Sequence, residues 1–373
     1  MTPRERILAA IRHQPVDRIP TDLWATDEVL EQLYAHFGGT EPLLRPAKDG
    51  ADGVARSSAL IALYDQLGID GIANVKPTYI GPPTVQEEDY RENEWGMGQQ
   101  RQDYGTGAYW EWAHHPLAEA ETIEDLRRYR WPSPDWYDYS TITQQAAAYP
   151  DRAVRCGYTA VFYFHNLLRG LEQSLLDPLL KPELTHYIEA RLSEFFYEYH
   201  RRCFEVGRGV IDITQVTDDL GTQRGLLISP EVFDTFYRAP MQRAIDQAKS
   251  YGIIVFHHDD GSVRKLLPTL VEMGIDVLNP VQWRCDGMDR VELKATFGEQ
   301  ICFHGAVDNQ ETLPFGTPED VREEVRYNIA VLAADRTGYI LAPCHTIQPN
   351  TAVENIIALY EAAREYGDFS SQA

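Results

Sequence analysis

Ile253-Ile254-Val255-Phe256-His257-His258 is a run of strand length, apolar until it ends in two histidines. Asp259-Asp260-Gly261 breaks it, residues 264–273 restore apolar side chains at helical spacing, and a second apolar run follows at 277–281. Strand, helix, strand in this order is the signature of a parallel βαβ unit. Apolar runs at 19–23, 71–75, 153–162, 210–216, 301–305 and 339–343 complete a set of eight. After the third the spacing is regular, and a helical pattern at 353–366 follows the last. Eight strands, each apolar on both faces, predict an α/β chain closed as a (β/α)8 TIM barrel. An open doubly wound sheet lacks support, because no G-x-G-x-x-G follows the first strand. One barrel domain over 1–373 suits the length. Thr2-Pro3-Arg4-Glu5, Ser229-Pro230-Glu231 and Thr317-Pro318-Glu319-Asp320 read as capped helix starts with proline at the first helical position.

One stretch breaks the alternation. Residues 76–152 form a long insertion between strands two and three, and its middle alternates aromatic and polar residues around glycines, as β-hairpins do. Trp95, Tyr104 and Trp110 lie there and are expected to line an apolar substrate pocket over the barrel mouth. The alternative is a satellite core packed on the barrel wall.

Composition narrows the partners. Hydrophobic residues at 43% and charged residues at 24% describe a globular chain. Lys+Arg 34 against Asp+Glu 57 gives a formal net charge of −23, which repels phosphate backbones and anionic lipid, so neither nucleic acid nor a membrane surface is expected as a partner. No apolar run of about 18 residues is present, and the N-terminus leads into an amphipathic helix rather than a signal peptide. The five cysteines are scattered and form no CxxC, which favours a reduced, cytoplasmic setting over a disulfide framework.

In a (β/α)8 barrel the chemistry sits where the strands end. His257-His258-Asp259-Asp260 is the densest such point. Residues two apart in extended chain share a face, so His258 pairs with Asp260 and His257 with Asp259. A nitrogen and a carboxylate oxygen suit Zn²⁺, and Cys344, at the end of the last strand, would add a thiolate to leave an open catalytic site. His257 is the reserve ligand should the register slip. The competing reading has His258 and Asp260 hydrogen-bonded to each other and Cys344 filling space. Asp219 and His304 are candidate acid/base groups, with helix capping the alternative for the Asp218-Asp219 pair. Gln223, Asn279 and Gln282 are candidates for hydrogen bonding a small-molecule substrate. P-loop, zincin and nucleophile-elbow motifs are absent.

The opening 3–13 with Asp17-Arg18-Ile19-Pro20, the stretch Asp219-Leu220-Gly221-Thr222-Gln223 leading to Ile228-Ser229-Pro230-Glu231, and the tail around Glu354-Asn355-Ile356 together resemble the uroporphyrinogen decarboxylase superfamily, and within it the cobalamin-linked methyltransferases. The resemblance covers nearly the whole chain and implies the same barrel. It also implies zinc held by a His-x-Cys-Gly stretch and a late Cys. Here Gly261 aligns the stretch, His258 takes the His place, Asp260 the first Cys place and Cys344 the last. Asp for Cys makes the site harder. The decarboxylase branch fits less well, because acidic Trp24-Ala25-Thr26-Asp27-Glu28 stands where its carboxylate-gripping arginines belong. The expected activity is therefore a zinc-dependent methyl transfer between a small substrate and a corrinoid (cobalamin) presented by a separate protein. The alternatives are a metal-free decarboxylase using Asp219 or Asp22, or a silent binding barrel.

Overall fold

The computed structural model describes residues 1–40, 43, 51–103 and 108–370. Twelve strands are formed among them: β1 (Ile72–Val75), β2 (Thr78–Tyr79), β3 (Tyr90–Glu92), β4 (Gly98–Asp103), β5 (Ala108–His114), β6 (Tyr137–Asp138), β7 (Ala153–Thr159), β8 (Ile213–Val216), β9 (Ile254–His258), β10 (Val277–Asn279), β11 (Cys302–Val307) and β12 (Tyr339–Pro343). Seven of them make one parallel sheet in the order β1-β7-β8-β9-β10-β11-β12, with helices on the connections, an α/β architecture of the TIM-barrel type.

The first expected strand, 19–23, is not one. It makes a single parallel bridge, Thr21 to Leu341. Still, it reaches both edges of the sheet: Asp22 N–H donates to Leu341 O (3.0 Å), Leu341 N–H to Pro20 O (2.9 Å), and Gly71 N–H to Thr21 O (2.9 Å). The ladder fails for two reasons. Pro20 has no donor, and carboxylates replace carbonyls as acceptors: Thr21 N–H donates to Asp70 Oδ2 (3.1 Å) and Ile72 N–H to Asp22 Oδ1 (3.1 Å).

The bore changes character within two residues. Ile72, Ala153, Ile213, Ile254, Val277, Cys302 and Ile340, one from each parallel strand, cluster with Ile7, Leu8 and Ile11 of the N-terminal helix Pro3–Ile11. That helix is fixed by the expected capping box between Thr2 and Glu5. Two residues further along each strand the same face carries Asn74, Arg155, Gln215, Phe256, Asn279, His304 and Ala342. The N-terminal end of the bore is plugged with hydrocarbon, and polar groups collect toward the strand C-termini.

Between β1 and β7 the chain forms an antiparallel sheet β3-β4-β5 and a pair β2-β6. Asn93 Oδ1 shapes the first hairpin by accepting from Trp95 N–H (3.0 Å) and Met97 N–H (3.1 Å). Trp112 Nε1–H donates to the Tyr163 hydroxyl (3.2 Å) and Leu117 N–H to Leu168 O (2.9 Å), which ties this segment to the helix Val161–Arg169 directly after β7. No described helix is long and apolar enough to cross a membrane.

Helix Pro182–Val206 buries a carboxylate, Glu189, whose Oε1 has no hydrogen-bond partner. Burial pushes its pKa up to about 9; the exposed His186 Nδ1 stands 3.6 Å from Oε2. A carboxyl raised in the folded state costs nothing below its ordinary range, near 4.5, and weakens the fold progressively as pH climbs toward 9. Glu189→Gln is therefore expected to stabilise the protein by roughly 1–3 kcal/mol at pH 9. The gain should disappear at pH 4.5, as read from urea unfolding at the two pH values.

Candidate metal centre

His258 ends β9, and the alternation of strand faces holds. His257 turns to Asp259, Nε2 to Oδ2 3.5 Å, and both are fully buried. His258 turns to Asp260, Nε2 to Oδ2 3.8 Å. Burial lowers His257 to about 4 and raises Asp259 well above the carboxylate range. His257 Nδ1–H donates to Val216 O (2.8 Å), while His257 Nε2 and Asp259 Oδ2 face each other with no hydrogen-bond partner. That pair is internal structure. Asp259 Oδ1 also accepts from Leu220 and Gly221 N–H (2.8 and 3.1 Å), fixing the loop that carries Asp219.

On the other face, His258, Asp260 and His345 offer ligand atoms within 4.8 Å of one another, the group of this kind found among the described residues. His345 Nε2 lies 3.4 Å from Asp260 Oδ2, and His258 Nε2 lies 3.7 Å from Asp219 Oδ1. At 3.8 Å, His258 and Asp260 are too far apart to be hydrogen-bonded, which removes the competing reading of that pair. Atoms each about 2.0–2.2 Å from one cation stand roughly 3–4 Å from one another, so these separations suit a shared ion. Asp219 Oδ1 is buried, has no hydrogen-bond partner and faces the same centre. Burial raises its pKa, with the Asp260 charge adding to the rise.

Two glycines let the loops press together. A Cβ on Gly221 would stand 2.2 Å from Asp260 O, and one on Gly261, at φ +85°, would stand 2.6 Å from Thr222 O. The close approach brings Asp219 beside Asp260.

The groups behind His258 fix its tautomer. Asp22, buried, accepts from Ile72 N–H, Trp24 Nε1–H (3.1 Å) and His304 Nε2–H (3.1 Å). Burial acts to raise Asp22, but the His304 hydrogen bond and nearby charges outweigh it and hold the carboxylate below its usual range. Burial in turn keeps His304 below the ordinary histidine value, hence neutral. His304 Nδ1 is then an acceptor, and takes a bond from the Asn279 amide (2.7 Å). Asn279 Oδ1 in turn accepts from His258 Nδ1–H (2.6 Å). His258 Nε2 is left with its lone pair directed at the cluster, as an imidazole ligand requires. Asp260 is held likewise: its Oδ1 accepts from Gln282 Nε2 (3.0 Å), while Gln282 Oε1 accepts from Gly261 N–H (2.5 Å).

These placements change several expected roles. Asn279 and Gln282 hydrogen-bond to His258 and Asp260. His304 sits inside the relay, fully buried. Asp218 accepts from Tyr163 N–H (2.9 Å) in the Val161–Arg169 helix before β8 and does not cap the helix after β8, whose cap is Ser229. The Cys344 thiol is not brought to the cluster: it is buried and donates to Val281 O (3.2 Å). Residues 344 and 345 lie past the end of β12, where strand alternation no longer sets direction, and it is His345 that turns to Asp260. All five cysteines are buried free thiols. Gln223 is exposed, and its backbone O accepts from Asp286 N–H (3.0 Å). Trp95 lines a cavity of about 420 Å³ with Tyr137, Tyr158, Phe164, Phe195 and Tyr199. Trp110 lines a different one beside Arg91, whose guanidinium stacks 4.2 Å from its ring, so the two do not share a pocket. Tyr104 lies outside the described residues.

The fold has known counterparts. A methyltransferase from Methanosarcina mazei superposes with a TM-score of 0.63 at 19% identity, over 98% of this chain and 99% of that one. A uroporphyrinogen decarboxylase from Nostoc punctiforme is 25% identical over 188 residues, 49% of this chain. The match spans about half the length of that curated relative, 48%. The uroporphyrinogen decarboxylase (URO-D) family profile matches residues 115–366, well over half of the chain, and the chain belongs to that family.

Proposed function

We propose that this chain is a metal-dependent methyltransferase of the corrinoid-linked type, acting in a reduced cytoplasm. The convergence of His258, Asp260 and His345, with His258 Nε2 held lone-pair-first by Asn279, is the observation that carries this reading. Those three residues would hold the ion, with Asp219 alongside. Zinc in such a site acts as a Lewis acid and lowers the pKa of a bound heteroatom. The donor set is harder than a thiolate site, since it has two imidazoles and a carboxylate.

The remaining steps belong to the chain's own groups. Asp219, raised by burial, would take or return the proton of the reacting heteroatom. A corrinoid on a separate protein would supply or accept the methyl group, with the proton that the heteroatom loses or gains carried by Asp219.

Two measurements test the reading. Protein purified without chelator should carry about one zinc per chain, and His345→Ala should lose it while Cys344→Ser keeps it. The metal-loaded protein should demethylate methylcobalamin in the presence of a thiol panel, followed by the cobalt absorbance. Absence of bound transition metal after zinc is offered, or release of CO2 from carboxylic acids without methyl transfer, would contradict it.

A further inference from the structure

The bore contains a guanidinium that, among the described residues, forms no ion pair. Arg155 lies on the inner face of β7, one layer above the hydrocarbon plug. Its guanidinium carbon stands 5.3 Å from the centre of the Trp24 ring and 5.1 Å from that of Phe256. Nε donates to Asn74 Oδ1 (2.6 Å), so the head is fixed. Nη1 is buried and has no hydrogen-bond partner. Among the described residues no carboxylate stands within 4 Å of Arg155. The closest acidic influence is Asp22, whose oxygens are already committed to Ile72, Trp24 and His304. A guanidinium is ionised at any physiological pH, and holding one between rings without a direct ion-pair partner is unfavourable unless something else supplies it.

The position ties this charge to the metal centre. The Trp24 ring that carries Arg155 on one side is 5.5 Å from the His258 ring, centre to centre. Trp24 is thus in ring-contact range of both the guanidinium and the His258 imidazole.

Building on the reading of the His258, Asp260 and His345 cluster as the reaction centre, we propose that Arg155 anchors a carboxylate of the substrate, with the reacting heteroatom a few carbons away at that cluster. A planar carboxylate matches the guanidinium fork, and the flanking rings exclude the water that would weaken the contact. The substrate class is then a small monocarboxylic acid with a second functional group, rather than a neutral or cationic molecule. A chain of formal charge −23 has no general attraction for anions, so a preference for acids would report this local site.

The test is equilibrium calorimetry with monocarboxylic acids of three to eight carbons, each paired with its carboxamide, on zinc-loaded and on chelator-stripped protein. At least one acid should bind tenfold or more tightly than its amide, and the preference should survive removal of zinc. Arg155→Gln should erase it. Arg155→Lys keeps the charge without the fork and should reduce the preference several-fold, which covers the case in which the glutamine variant fails to fold. No acid–amide discrimination in the unaltered protein, the same discrimination in either variant, or discrimination that vanishes with the metal would overturn the proposal. None of these readouts depends on methyl transfer, so failure of the methyltransferase reading is seen separately.

Discussion

His258→Ala is expected to weaken zinc binding by at least about a hundredfold and to abolish metal-dependent turnover. His258 supplies the only cluster nitrogen whose tautomer is fixed from behind, and removing it leaves Asp260 and His345 as two of three ligands. The substitution also orphans Asn279 Oδ1, which is fully buried with its residue. That should cost roughly 1–3 kcal/mol of stability in the metal-free protein. Competition with a chromophoric chelator reads the first effect, and urea unfolding of the stripped protein reads the second. Affinity within a few-fold of the unaltered protein would remove His258 from the centre.

Asn279→Leu should weaken zinc binding by about ten- to a hundredfold, the range typical of losing a group that orients a ligand, although Asn279 touches no metal. The side chain is the link between two imidazoles, donating to His304 Nδ1 and accepting from His258 Nδ1–H. Leucine is of similar size but can do neither, so His258 loses the bond that points its lone pair at the cluster. Asn279→Asp keeps an acceptor for His258 and should retain most of the affinity. It places a charge beside His304 Nδ1, where an acceptor cannot satisfy a neutral Nε2–H tautomer. His304 should therefore titrate at higher pH in Asn279→Asp than in the unaltered protein, which imidazole NMR would show. Equal zinc affinity in Asn279→Leu would mean that packing alone holds His258.

The parallel strands were legible because they are apolar on both faces and separated by capped helices; 253–258, 277–281 and 339–343 are found within a residue or two of the strands formed. The segment 19–23 looked equally strand-like. Its ladder bonds are taken over by Asp22 and Asp70 side chains, and sequence patterning does not reveal where a carboxylate replaces a carbonyl. At the centre, His258 and Asp260 follow from period-two alternation, which is local. His345 does not. Whether position 344 or 345 faces the cluster depends on how β12 leaves its ladder with β11, and a one-residue difference exchanges thiol for imidazole. Asn279 and Gln282 were visible as polar residues at strand ends. Their direction, toward His258 and Asp260, is set by neighbours more than twenty positions away. Arg155 gave no signal, because a single arginine inside an apolar strand has no distinguishing neighbour in sequence.

The decisive measurement is X-ray absorption at the zinc edge of the zinc-loaded protein. A first shell of nitrogen and oxygen with imidazole scattering and no sulfur, unchanged in Cys344→Ser, is the expected result. A sulfur shell near about 2.3 Å that disappears in Cys344→Ser would contradict a centre built from His258, Asp260 and His345.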